Sequence, residues 1–105
     1  AGRSDNVLNA GGSKMLAEDL EEIIARAPGV VECGVAALAD TLGIPRIVCG
    51  LVRRAKWQQQ PFMDYCERSI HREFLPAKFV ILRAIPRTPT RKIDRRALAE
   101  LLAKN

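Results

Sequence analysis

Five of the eleven residues from Pro86 to Arg96, "PRTPTRKIDRR", are cationic: Arg87, Arg91, Lys92, Arg95 and Arg96. Pro86 and Pro89 stand among them. Proline fixes φ and removes an amide donor, so the stretch predicts a braced loop and not a regular helix. A lysine on such a loop carries a compact charge on a flexible stem. Such a charge could stabilise an anionic ligand or a developing negative charge. Counted as charge alone, the stretch reads first as a solvated basic surface. What separates the two readings is the set of elements around it.

Those elements come from 105 residues, 48% hydrophobic and 28% charged, with a net charge of +5. That length makes one domain with one modest core. No apolar run approaches the roughly 18–20 residues that span a bilayer, and no secretion-signal pattern opens the chain, so a cytoplasmic protein is expected. Cys33, Cys49 and Cys66 lack CxxC spacing and read as small core residues in a reducing compartment, with no metal site. The positive charge suggests an anionic partner. The five aromatics do not interleave with the cations as a stacking platform would, which disfavours nucleic acid and leaves nucleotide or phosphate binding open.

Along the chain, "NVLNAGGSKM" reads as two short extended pieces around the Gly11–Gly12 turn. "AEDLEEIIARA" puts Leu20, Ile23, Ile24 and Ala27 on one helical face, and Pro28–Gly29 stops that helix. Val30–Leu38 and Arg46–Arg54 read as strands, the first with Val31, Cys33, Val35 and Ala37 on one face, joined by "ADTLGIP". "AKWQQQ" is a polar connector that includes Trp57. From Pro61 onward, Phe62, Tyr65, Cys66, Ile70 and Phe74 share a helical face, with His71 at its exposed rim. "KFVILRAI" is a third strand. Asp94 is a good N-cap for a last helix with Ala97, Leu98, Leu101 and Leu102 inward, and Arg95 and Arg96 on its surface. The fold class is therefore α+β: a small β-hairpin followed by a three-stranded sheet with about three helices packed on it.

The opening "GRSDNVLNAGGSK", then "EDLEEII", "GVVECGVAAL" and the closing "IPRTPTRKIDRRAL" together resemble the C-terminal domain of the AMP-forming adenylating enzymes. That family includes acyl- and aryl-CoA synthetases, luciferase and the adenylation domains of peptide synthetases. The resemblance runs over essentially the whole of residues 1–105. It implies the mobile lid of an ATP-dependent acid–thiol ligase. A carboxylate attacks the α-phosphate of ATP to give an acyl-adenylate and pyrophosphate, and the thiol of CoA then displaces AMP. By this resemblance Lys92 is the catalytic lysine of adenylation, Asp5 the hinge and Arg3 a nucleotide contact. Gly12 lines the pantetheine tunnel. ATP and Mg2+ would be held mainly by a large N-terminal domain lying outside this chain, the domain's principal partner. The fragment alone is then expected to be inactive.

The family has glycine immediately before the lysine, and here Arg91 takes its place. Either the loop adopts another conformation, or Arg91 is recruited to a phosphate of ATP or CoA beside Lys92. Two other classes of function are kept in view: a small anion- or nucleic-acid-binding module, and a docking domain for a carrier protein whose pantetheine arm replaces CoA. No membrane partner is expected.

Overall fold

The computed structural model describes residues 6–10 and 12–104. Val7–Ala10 (β1) and Ser13–Leu16 (β2) form an antiparallel hairpin with Ala10 opposite Ser13. Gly12 takes φ +85°, the left-handed backbone a two-residue hairpin turn demands. Helix α1, Ala17–Ala25, carries Glu18 and Asp19 in its first turn, where they complement the dipole. Leu20 and Ile24 on its inner face are completely buried.

Strands β3 (Val30–Ala39) and β4 (Pro45–Arg53) pair antiparallel, and β5 (Lys78–Ile81) lies parallel to β4, giving the order β3-β4-β5. A parallel neighbour needs a crossover, and helix α2 (Gln59–Ser69) supplies it. Helix α3 is Arg95–Ala103. The expected α+β architecture is the one observed.

The sheet separates two apolar clusters. On one face α1 and α2 bring Leu20, Ile24, Phe62 and Cys66 against Cys33, Val35, Cys49 and Leu51. On the other, Leu98 and Leu102 of α3 pack against Val48, Val80 and Ile85. Gly34 and Gly50 are cross-strand partners beneath α3. A Cβ on Gly34 would stand 2.7 Å from Leu98 Cδ2, and one on Gly50 2.7 Å from Leu82 Cδ1 and 3.2 Å from Leu102 Cδ2. This glycine pair lets α3 settle directly onto the strand backbones.

Several local expectations change. Val31 is 49% exposed while Val30 is buried, because the pairing slips between Val30 and Glu32 and inserts one residue, reversing the alternation there. Helix α2 starts at Gln59, two residues before Pro61, and ends at Ser69. Ile70 is extended, and Phe74 is buried by a single 3-10 turn over Arg72–Phe74. His71 is exposed, as expected, and its Nδ1 accepts from the Glu73 amide at 3.3 Å. Leu101 is 37% exposed and not inward. Trp57 is no mere connector: its ring packs 5.6 Å from Phe62 with the Arg53 guanidinium 5.3 Å above it.

Candidate active-site loop and its anchors

Pro86 to Asp94 folds as a small hairpin. The Asp94 amide donates to the Pro86 carbonyl (2.9 Å), Arg87 bridges Ile93, and the Thr88 amide donates to the Lys92 carbonyl (2.7 Å). The turn closes through the Arg91 amide on the Thr88 carbonyl at 2.9 Å. Such a three-residue loop is a turn followed by one residue in the left-handed region. That residue is Arg91, with φ +69°.

The same turn occurs elsewhere in the chain. Between β3 and β4 the Gly43 amide donates to the Asp40 carbonyl (2.9 Å) and the Asp40 amide to the Ile44 carbonyl (2.9 Å). The left-handed residue there is Gly43, with φ +80°. Its Asp40 carboxylate accepts from the Ile44 and Leu42 amides and from Arg46, which holds that carboxyl below its usual range. Of the two outcomes left open for Arg91, a different loop conformation is therefore not the one adopted. Arginine keeps the backbone that glycine would prefer.

Ile93 turns inward onto the α3-side cluster, so the alternating neighbour Lys92 faces outward. Lys92 is exposed, and no described residue offers its ammonium a hydrogen bond or ion pair. The loop is nevertheless fixed at both ends. Upstream, Arg87 Nη2 donates to Glu32 Oε1 of β3 at 2.6 Å, and its Nη1 to the Arg91 carbonyl at 3.1 Å. Downstream, Asp94 caps α3 by accepting from the Ala97 amide at 3.1 Å, as its type and position predict.

Arg95, expected on the surface, instead reaches inward. Its Nη1 and Nη2 donate to Glu21 Oε2 and Oε1 at 2.5 and 3.0 Å, a fork-to-carboxylate pair, and Nη1 lies 3.3 Å from the Val35 carbonyl. Glu21, 7% exposed, also accepts from the Val35 amide at 2.8 Å. One ion pair thus joins α1, β3 and α3. The signal was present in the sequence: Glu21 lies between Leu20 and Ile24 on the buried face of α1, where a carboxylate needs a partner.

The site residues fall in different places. Arg3 and Asp5 lie outside the described residues. Gly12 stands at the tip of the β1–β2 hairpin, with nothing within 4 Å of a would-be Cβ. Backbone conformation, not crowding, asks for glycine there. Asn9 and Ala10 of that hairpin share a cleft of about 400 Å³ with Pro45, Arg46 and Arg72. Those contacts are at the start of β4, whereas Glu32, which holds the lysine loop, pairs with Val52 near its end. Six residues of strand separate Arg46 from Val52, about 20 Å. The structure places Arg91 and Lys92 side by side on one hairpin and Gly12 on another. No group of three or more His, Cys, Asp or Glu side chains among the described residues could hold a metal ion.

The chain belongs to the AMP-binding enzyme C-terminal domain family, which it matches over residues 19–92. It is 31% identical over 102 residues to the 4-chlorobenzoate–CoA ligase of an Arthrobacter species, which covers 96% of this chain and 20% of that enzyme. It is 32% identical over 99 residues to a linear gramicidin synthase of Brevibacillus parabrevis, 92% of this chain and 1% of that protein. Among solved structures, the fatty acyl CoA synthetase of Mycobacterium tuberculosis superposes with a TM-score of 0.81 at 29% identity, over 94% of this chain and 20% of that one. The chain therefore spans a fifth or less of the length of these relatives.

Proposed function

We propose that these residues form the mobile C-terminal domain of an ATP-dependent, AMP-forming acid–CoA ligase, with Lys92 as its adenylation lysine and Asp5 as its hinge. The observation that carries this reading is the exposed, unengaged Lys92 beside the turn of a hairpin anchored at both ends. In the first half-reaction a carboxylate oxygen attacks the α-phosphorus of ATP, and the bond to pyrophosphate breaks. Negative charge gathers on the leaving oxygens and on the incoming acid. An ammonium presented from a pre-shaped loop stabilises both without first having to be ordered. Arg91, one residue away and equally exposed, would meet a neighbouring phosphate of ATP or CoA.

Lys92 and Gly12 stand on separate hairpins, one tied to β3 at Glu32 and the other beside the start of β4, and this separation supports a domain swing. Rotation of this domain against a large N-terminal domain would present Lys92 for adenylation, then the Gly12 hairpin, beside the pantetheine arm, for thioester formation. Arg3 would contact the nucleotide during that cycle. The relatives' names support CoA as the acceptor, while the gramicidin synthase favours a carrier-protein arm. Three buried free thiols suit a reducing, cytoplasmic setting. Membership of the adenylating family favours this reading over a free-standing anion- or nucleic-acid-binding module.

The test is Lys92→Ala in the full-length protein. Exchange of ATP with pyrophosphate falls by roughly 10²–10³ or more, while thioester formation from supplied acyl-adenylate continues. Equal loss of both half-reactions rejects the role. Pyrophosphate exchange by these 105 residues alone would reject their dependence on a large N-terminal domain.

A further inference from the structure

A line of polar contacts runs from the first described residue to the base of the lysine loop. Asn6 Nδ2 donates to Glu18 Oε2 at 2.8 Å. Glu18 Oε2 lies 3.8 Å from Arg95 Nη2. Arg95 then forks onto Glu21, whose carboxylate accepts from the Val35 amide. Asn6, Val35 and Arg95 also line one cavity of about 200 Å³. In sequence, Asn6 follows Asp5, and Arg95 stands three residues after Lys92.

We propose that Arg95 is a positioning residue for Lys92, and that the path Asn6–Glu18–Arg95 ties the pivot end of the domain to its catalytic loop. This rests on the ligase reading above. A domain swing delivers a side chain accurately only if the pivot and the loop turn as one body. Otherwise part of the rotation is lost in bending between them. The hairpin's own hydrogen bonds fix its shape but not its bearing relative to Asn6. The Arg87 contact to Glu32 fixes one end of the hairpin, and the first turn of α3 fixes the other, because Asp94 both closes the hairpin on Pro86 and caps the helix. Arg95, the first residue of α3, is the side chain that locks this turn to α1 and β3. Its planar fork holds orientation as well as charge, which a lysine in its place would not.

Three substitutions in the full-length protein test the idea: Asn6→Ala, Glu18→Ala and Arg95→Lys. The first two leave the Glu21–Arg95 pair in place, so their melting temperatures stay close to the parent's. Each is expected to slow ATP–pyrophosphate exchange about 3- to 10-fold, and Arg95→Lys about 10- to 100-fold, the scale on which an ångström of misplacement acts. Substrate KM values and thioester formation from supplied acyl-adenylate stay within about twofold, since Lys92 is not used there. The Asn6→Ala/Glu18→Ala double variant falls no further than either single one, as one path requires. Equal loss in both half-reactions from folded variants overturns the proposal, because that is what loosening of the whole domain would give. Full exchange activity in Arg95→Lys, alongside an inactive Lys92→Ala, overturns the coupling alone. Full activity in Lys92→Ala overturns the role of the lysine and the coupling with it.

Discussion

Replacing Arg91 with glycine is expected to stabilise the domain, and the structure contains its own control. Arg91 and Gly43 occupy the same position of the same hydrogen-bonded turn, at φ +69° and +80°. Holding an L-residue in the left-handed region costs about 1–2 kcal/mol. Glycine gives back part of that gain, because it frees the unfolded chain by about 0.4–1 kcal/mol. No stabilising hydrogen bond of the Arg91 side chain is present among the described residues, and its carbonyl keeps the Arg87 contact whatever the side chain. The net gain is about 0.5–1 kcal/mol, which for a domain of this size raises Tm by about 3–6 °C. Gly43→Ala reverses the comparison. Its would-be Cβ meets nothing within 4 Å, so only the backbone term acts, and Tm falls by a similar amount. Thermal unfolding followed by circular dichroism measures both. A fall in Tm for Arg91→Gly would refute the strain account, as would an unchanged Tm for Gly43→Ala. In the full-length enzyme the same Arg91→Gly variant should raise KM for ATP or CoA while Lys92 still works, and unchanged values would dismiss the phosphate contact. Together the two results would describe an arginine kept at a strained position for its charge.

Gly34→Ala drives a methyl group toward Leu98 and Ile85, which are fully packed, and should cost about 1–3 kcal/mol by denaturant titration. Glu21→Gln leaves Arg95 with the looser Glu18 carboxylate 3.8 Å away as its counter-charge, and a loss of about 1–3 kcal/mol is expected, more than for the exposed Glu22→Gln on the same helix. Burial, with negative charge at Cys33 and Glu67, pushes the Cys66 thiol up to about 11 from 9.0. Cys49 is raised as well, first by its hydrogen bond with Cys33 and then by burial. Folding therefore favours the protonated thiols. That contribution is complete below pH 9 and is lost as pH rises through about 11, so Tm should decline over that window and Cys66→Ser should flatten the decline. At pH 8 the folded chain should react with a thiol reagent only as fast as it opens.

The elements were legible wherever local spacing carried the information. The apolar stripe of α1, the Asp94 cap and the prolines of the basic loop each depend on neighbours within a turn or two. They appear in the structure as expected. The family was legible as resemblance, and the match to its model over residues 19–92 bears that out. Errors arose where a residue's fate rests on something distant in sequence. Val31 faces solvent because β4 opposes β3 with one residue to spare. Trp57 is covered by Phe62 and Arg53 rather than by its polar neighbours.

The lysine loop shows the same division most sharply. Pro86 and Pro89 rule out a regular helix over residues 86–93, and that is a purely local effect. Which of the cations stay exposed depends instead on long-range packing. Arg87 is drawn to Glu32, 55 residues away, and Arg95 to Glu21, 74 residues away, while Arg91 and Lys92 remain exposed. All of these side chains carry the same charge, so charge count cannot distinguish them. Burial of a carboxylate on the inner face of α1 does, because desolvating Glu21 demands a partner, and the packing of α3 on the Gly34–Gly50 pair places that demand within reach of Arg95.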